Sequence, residues 1–199
     1  MAANTYLTPE ERTLLESARV GIAGAGGLGS NCAMHLVRAG VKHLTVVDFD
    51  VVNESNLNRQ FFFRDQLGQK KVEALKENLL RIEPDVDIRA VDMRLDASSA
   101  REVFADCGIV VEAFDVVDAK VMLVSAFASS VKKLVTASGL AGWGRSNAIR
   151  LRRMGSSVVA IGDGETSVGD GAAPVSPRVG IAAAMQANAV VSLLLGCEP

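Results

Sequence analysis

Val20-Gly21-Ile22-Ala23-Gly24-Ala25-Gly26-Gly27-Leu28-Gly29 is the stretch on which the fold turns. Residues 20–23 form a short apolar run that predicts a strand, and residues 27–39 read as a helix stopped by Gly40. Between them Gly24, Gly26 and Gly29 are spaced G-x-G-x-x-G, the turn that cradles a nucleotide phosphate when it joins a strand to a helix. Gly24 permits the tight turn, Gly26 lets the backbone approach a phosphate, and Gly29 lets helix and strand pack closely. The helix amino end then offers unpaired N–H groups and a partial positive charge to an anion. A tight junction with no ligand would use the same glycines, so the turn takes its meaning from its surroundings.

A second strand over residues 43–47 runs into Asp48-Phe49-Asp50. Asp48 lies 24 residues after Gly24 (48 − 24), near where an acidic group meets a ribose hydroxyl pair. That supports an adenosine nucleotide and leaves NAD and ATP equally open. Asp50 reads equally as a site carboxylate or a solvated turn residue. Ser55-Asn56-Leu57-Asn58-Arg59-Gln60 follows, then Gly68-Gln69-Lys70-Lys71. A dehydrogenase needs no such concentration of phosphate-reading groups past its second strand. Arg59 and Lys71 can neutralise β- and γ-phosphate charge and stabilise a departing pyrophosphate, with Asn56, Asn58 and Gln60 beside them. Asp115 follows a fourth strand at residues 109–113, where a single carboxylate can hold Mg²⁺ against phosphate oxygens. Asp118 reads as a helix-terminal charge.

Working outward, residues 8–19 predict a helix capped by Thr8 and Glu11 and docked through Leu14 and Leu15. Residues 51–67 read as irregular, 69–82 as a helix with Val72, Leu75, Leu79 and Ile82 on one face, and 86–91 as a third strand. Helices at 97–105, 116–130 and 179–195, a strand at 133–137 and late strands at 147–152 and 157–161 complete the set. Between them lie a glycine-rich segment carrying Trp143 and a turn-rich loop at 162–177. Strands alternating with helices predict an α/β fold: a Rossmann-like, mostly parallel sheet flanked by helices, whose last strand pair could be antiparallel, in a single domain over residues 1–199.

The chain is 49% hydrophobic and 22% charged with a net charge of −2, so no basic stripe exists for nucleic acid or an anionic membrane. It shows no signal-peptide pattern and no uninterrupted apolar span, which predicts a cytoplasmic protein. The three cysteines include no C-x-x-C pair, so neither structural zinc nor a disulfide framework is expected. Cys32 and Cys107 read as buried apolar groups, Cys197 as incidental, and His35 and His43 as structural.

Together the glycine turn, Asp48-Phe49-Asp50, residues 55–60, Gly68-Gln69-x-Lys71-Val72-Glu73 and Asp115 resemble the adenylyltransferases that activate sulfur-carrier and ubiquitin-like proteins. Within that superfamily the chain is most similar to short ThiF-type proteins of thiamine biosynthesis. That narrower likeness lies in Glu112-Ala113-Phe114-Asp115, Ala137-Ser138-Gly139-x-Ala141-Gly142, Gly162-Asp163-Gly164 and the run from Ala173-Pro174 to Ala184. The resemblance implies adenylation by ATP and Mg²⁺ of the C-terminal glycine of a small β-grasp, Gly-Gly-ended sulfur carrier, releasing pyrophosphate, by a homodimer. It places Gly27 and its loop under the phosphates, Asp48 on the ribose, Asn56, Arg59, Gln60 and Lys71 at the triphosphate, and magnesium on Asp115. It also implies an N-terminal arginine reaching the partner subunit, for which Arg12 and Arg19 are candidates. Residues 162–178 lack the cysteine that some members use in sulfur transfer, so the adenylate is expected to be passed on without a persulfide or thioester step. Other readings are an NAD-dependent oxidoreductase, a non-catalytic carrier-binding subunit, or activation of another carrier, as in molybdopterin or cysteine pathways.

Overall fold

The structure, a computed structural model, describes residues 6–127, 130, 132–167 and 171–199. In chain order the elements are α1 (Pro9–Ser17), β1 (Arg19–Ala23), α2 (Gly27–Ala39), β2 (His43–Asp48), α3 (Lys71–Ile82), β3 (Asp87–Asp92), α4 (Ala97–Val103), β4 (Ile109–Glu112), α5 (Val117–Phe127), β5 (Lys133–Ala137), β6 (Arg150–Met154), β7 (Val158–Gly162) and α6 (Ser176–Leu194). The strands form one sheet in the order β3-β2-β1-β4-β5-β7-β6. Every neighbouring pair is parallel except β6 and β7, which pair antiparallel as the late-strand reading allowed. Because β1 lies between β2 and β4, the winding reverses there. Ligands of open α/β sheets bind over the carboxyl ends of the strands at such a switch point.

Side chains alternate along each strand, so the sheet supplies two cores. Val20, Ile22, Val46, Val111 and Val135 face one core, closed by α2, α3 and α6 with Leu15 of α1. Ala23, Val47, Val110 and Leu134 face the other, closed by α4 and α5 through Phe104, Leu123 and Phe127.

Several boundaries differ from the sequence reading for local reasons. Helix α3 starts at Lys71, not residue 69, because Lys70 bridges to Val51 and the Gly68 amide donates to the Val52 carbonyl. Helix α6 starts at Ser176, three residues early, since the fixed φ of Pro177 suits a first helical turn. Residues 146–148 form a 3₁₀ turn, and the late strand begins at Arg150. Thr8 and Glu11 make the expected capping box, but Leu15 alone docks α1, with Leu14 48% exposed. The helix expected over 116–130 ends at Phe127 as described, with residues 128 and 129 outside the described set, as are 168–170 of the long loop.

Candidate functional site: the carboxyl edge of β1, β2 and β4

The glycine turn is built for three separate reasons. Gly24 has φ +102°, and its amide donates to the Val47 carbonyl at 2.8 Å. A Cβ on Gly29 would sit 1.8 Å from the Gly24 carbonyl oxygen, which is the close helix–strand approach. Gly26 is different: its φ of −79° suits any residue, and an added Cβ would meet nothing nearer than Gln60 Nε2 at 3.9 Å. The protein's own packing does not require glycine there, so the bare backbone leaves room in front of the turn. Gly26 also caps α2 without a side-chain bond, and the first turn carries no acid, so the helix amino end keeps its donors for an anion. Gly27, expected under the phosphates, packs inward: its added Cβ would meet Val179 at 2.9 Å and Arg59 at 3.5 Å.

Asp48 holds this turn in place. Its Oδ2 accepts the Ala25 amide at 2.6 Å and its Oδ1 accepts the Asp50 amide at 2.8 Å. Residues 55–61 are fastened to α2 from the other side. Asn31 Nδ2 donates to the Gly27 and Arg59 carbonyls, and Ser30 Oγ accepts the Phe61 amide. Arg59 Nη1 donates to the Ser55 carbonyl and to Asn58 Oδ1, so Ser55 and Asn58 aim the guanidinium. Asn56 is buried, and its Oδ1 accepts the Asn53 amide, closing a 3₁₀ turn. Gln60 is buried beside Gly26 with its Oε1 unpartnered.

Lys71 is buried at the start of α3 and donates to Asp50 Oδ2 at 2.7 Å. The two residues read separately in the sequence are thus one ion pair, with side-chain exposures of 7% for Lys71 and 48% for Asp50. Asp115 is exposed in the turn between β4 and α5. That turn abuts the glycine turn: the Ala113 amide donates to the Ala23 carbonyl, and Ala113 O lies 3.0 Å from the Cβ position of Gly24. Arg19 sits at the amino end of β1, opposite the turn, paired with Asp106 at 3.3 Å, and Arg12 Nε is buried without a partner.

Two pairs with buried acids carry roles that sequence reasoning did not assign. Glu112 is fully buried and bonded to Lys120 and Thr136. Its signal was a carboxylate ending the apolar run Ile109-Val110-Val111, which demands a buried cation. Asp163 and Arg178 pair at 2.5 Å, each 2% exposed by side chain. Arg178 also donates to the Gly144 and Arg145 carbonyls, so the pair joins the Trp143 loop to β7 and α6. Trp143 itself is 76% exposed.

The cysteines are as the sequence implied: burial pushes the Cys32 thiol up to about 12, and burial, then Asp106, pushes Cys107 to about 11. Neither is a nucleophile at neutral pH. His43 Nδ1 lies 3.2 Å from Asp87. Among the described residues no helix is long and apolar enough to cross a membrane.

A switch-point glycine turn with open backbone, an acid on the second strand and cations from the following loop define an α/β domain of the Rossmann-like class. Residues 3–199 match the ThiF family, and the chain belongs to that family. The adenylyltransferase and sulfurtransferase UBA4 of Eremothecium gossypii is 31% identical over 183 residues, covering 92% of this chain and 39% of that protein. The SAMP-activating enzyme E1 of Haloferax volcanii is 42% identical over 108 residues, 54% of this chain and 40% of that one. The molybdopterin-synthase adenylyltransferase of Salmonella typhimurium is 40% identical over 107 residues, 53% of this chain and 43% of that one. The chain thus spans less than half the length of these curated relatives. Among solved structures, the E. coli tRNA N6-threonylcarbamoyladenosine dehydratase TcdA in complex with AMP superposes with a TM-score of 0.85. Its identity is 20% and the match covers 94% of this chain and 90% of that one, a likeness of fold.

Proposed function

We propose that residues 1–199 form one adenylation domain that uses ATP to activate the C-terminal glycine carboxylate of a small sulfur-carrier protein. The observation that carries this reading is the space in front of Gly26, open except for Gln60 and bordered by the Arg59–Gln60 loop that Ser30 and Asn31 bind to α2. The carrier carboxylate oxygen attacks the α-phosphorus, the bond to the bridging oxygen breaks, and pyrophosphate leaves with the electron pair. No covalent protein nucleophile is needed, only positioning and charge stabilisation.

Each residue then has a task. Amides of the turn and the α2 amino end receive phosphate oxygens, and Asp48, already fixed by two amides, receives the ribose. Arg59, aimed by Ser55 and Asn58, and Lys71, with donors beyond the one given to Asp50, balance charge on the departing pyrophosphate. Asp115 suits magnesium, because Mg²⁺ takes one or two carboxylates and keeps waters and phosphate oxygens as its other ligands. When bound, the ion screens phosphate charge.

The motifs of the second half favour a ThiS-like carrier of thiazole synthesis, acting with a homodimer in the cytoplasm. The identity to the Salmonella molybdopterin-synthase adenylyltransferase favours a molybdopterin-pathway carrier as the second reading. Exchange of labelled pyrophosphate into ATP, dependent on a Gly-Gly-ended carrier, tests the proposal. Arg59→Ala and Asp115→Ala should abolish exchange in folded protein. No exchange with any carrier encoded beside the gene would sink it.

A further inference from the structure

Asp115 is exposed and makes no hydrogen bond or ion pair with any described residue, so only the backbone of its turn can set where its carboxylate stands. That backbone is fixed from below by an ion pair whose acid is buried. Glu112 closes β4 at 0% exposure, and its Oε1 accepts the Phe114 amide at 2.7 Å, one residue before Asp115. Lys120, on the first turn of α5, donates to both Glu112 oxygens at 3.0 and 3.1 Å and to the Ala137 carbonyl at 3.0 Å. Thr136 Oγ1 donates to Glu112 Oε2, and Gln186 Nε2 donates to the Glu112 carbonyl at 3.0 Å. The segment 113–119 is therefore clamped at both ends, with β5 and α6 as abutments.

Taking the Glu112 carboxylate out of water offsets most of its attraction to Lys120, which is itself 22% exposed by side chain, so the pair is a weak source of stability. What it does is tie the Phe114 amide, Lys120 and Thr136 to one carboxylate. The turn it fixes packs on Gly24 through Ala113, beside the open space at Gly26.

We propose that Glu112 and Lys120 are positioning residues for Asp115: they hold the β4–α5 turn so that its exposed carboxylate meets a metal–nucleotide complex lying on the glycine turn. The inference rests on the adenylation reading for its ligand, and it needs no turnover to be tested.

Mn²⁺ serves as a paramagnetic probe for Mg²⁺. It is titrated onto ATP-saturated protein and unbound Mn²⁺ is read by electron paramagnetic resonance, while calorimetry follows ATP without metal. Lys120→Met should weaken Mn²⁺–ATP binding on the order of tenfold, the lower end of losses for partners behind a metal ligand, and leave metal-free ATP binding unchanged. Lys120→Arg should restore it. Thr136→Val, which removes one donor and leaves the charge pair, should show a smaller loss of the same kind and covers the case in which Lys120→Met fails to fold. Asp115→Asn should match Lys120→Met, and combining the two should add nothing. Unchanged Mn²⁺–ATP binding in Lys120→Met or Thr136→Val, or additive losses in the double variant, would overturn the inference and leave the adenylation reading standing. Unchanged binding in Asp115→Asn would remove both the inference and the magnesium assignment. Failure to bind ATP at all would remove the adenylation reading itself, and with it the inference.

Discussion

Two ion pairs flank the glycine turn along the carboxyl edge of the sheet, and they are built for different duties. On the β2 side Lys71 meets Asp50, the lysine sealed and the acid 48% exposed. On the β7 side Asp163 and Arg178 are both sealed, at 2%. Asp163 accepts the Glu165 and Thr166 amides and the Thr166 hydroxyl besides the guanidinium. Arg178 gives Nη1 to two loop carbonyls and even tolerates a buried, unpartnered Nε. Such a pair is closed off from any ligand and cannot open without releasing the segments it joins. Lys71 keeps donors to spare, and its partner, 48% exposed, can turn to water. Exposure of the acid, more than the presence of a salt bridge, separates the pair that can serve a substrate from the one that serves the fold.

The sharpest way to break this comparison is Arg178→Met. It leaves Asp163 buried and uncompensated, so stability should fall by about 3–5 kcal/mol, read from the urea midpoint. Lys71→Met should do the reverse. Asp50 can be hydrated once alone, so the midpoint moves far less, while carrier-dependent pyrophosphate exchange drops by about 10²–10³, the usual cost of losing one charge-stabilising donor. Equal losses of stability in the two variants would erase the distinction.

Gly26→Ala sharpens it without touching a charge. The backbone at Gly26 accepts alanine and the added methyl enters open space, so the gain in the unfolded chain offsets the poorer N-cap and stability should move by less than about 1 kcal/mol. ATP affinity measured by calorimetry should fall, because that space is where a phosphate would lie. Unchanged affinity would mean that the opening has another use.

How much of this was legible depended on whether a residue's reason was local. The glycine turn, the helix it starts and the alternation into an α/β sheet could be read because each follows from neighbours in the chain. Residues 48–71 could be gathered as one site for the same reason, since the loop returns to the turn that precedes it. The pairs of the buried acids could not. Lys120 lies 8 residues from Glu112 and Arg178 15 from Asp163; the turn from β4 into α5 closes the first pair, and the packing of α6 against the end of β7 closes the second. A charge in a sequence carries no mark of burial unless, like Glu112, it ends an apolar strand. The inward packing of Gly27 on Val179 was equally hidden, because it depends on a helix residue 152 positions later (179 − 27).

The smallest effect, and a test of the sealed pair alone, lies in acid. Burial pushes the Asp163 carboxyl up, but the Thr166 and Glu165 amides, the Thr166 hydroxyl and the Arg178 guanidinium outweigh it, and the group ends below its usual 3.8. A carboxyl whose folded value is depressed adds stability at pH above its unfolded value and loses that addition as pH falls through the folded one. Asp163→Asn should therefore be less stable than the unsubstituted protein at neutral pH, and the gap should narrow below the usual carboxylate value as the native carboxylate is protonated. Denaturant midpoints from pH 7 down to pH 3 in both proteins, at about one-unit steps, measure that gap. A gap that stays constant would show that Asp163 holds the loops by shape and hydrogen bonds alone, and that its charge opposite Arg178 contributes nothing the asparagine lacks.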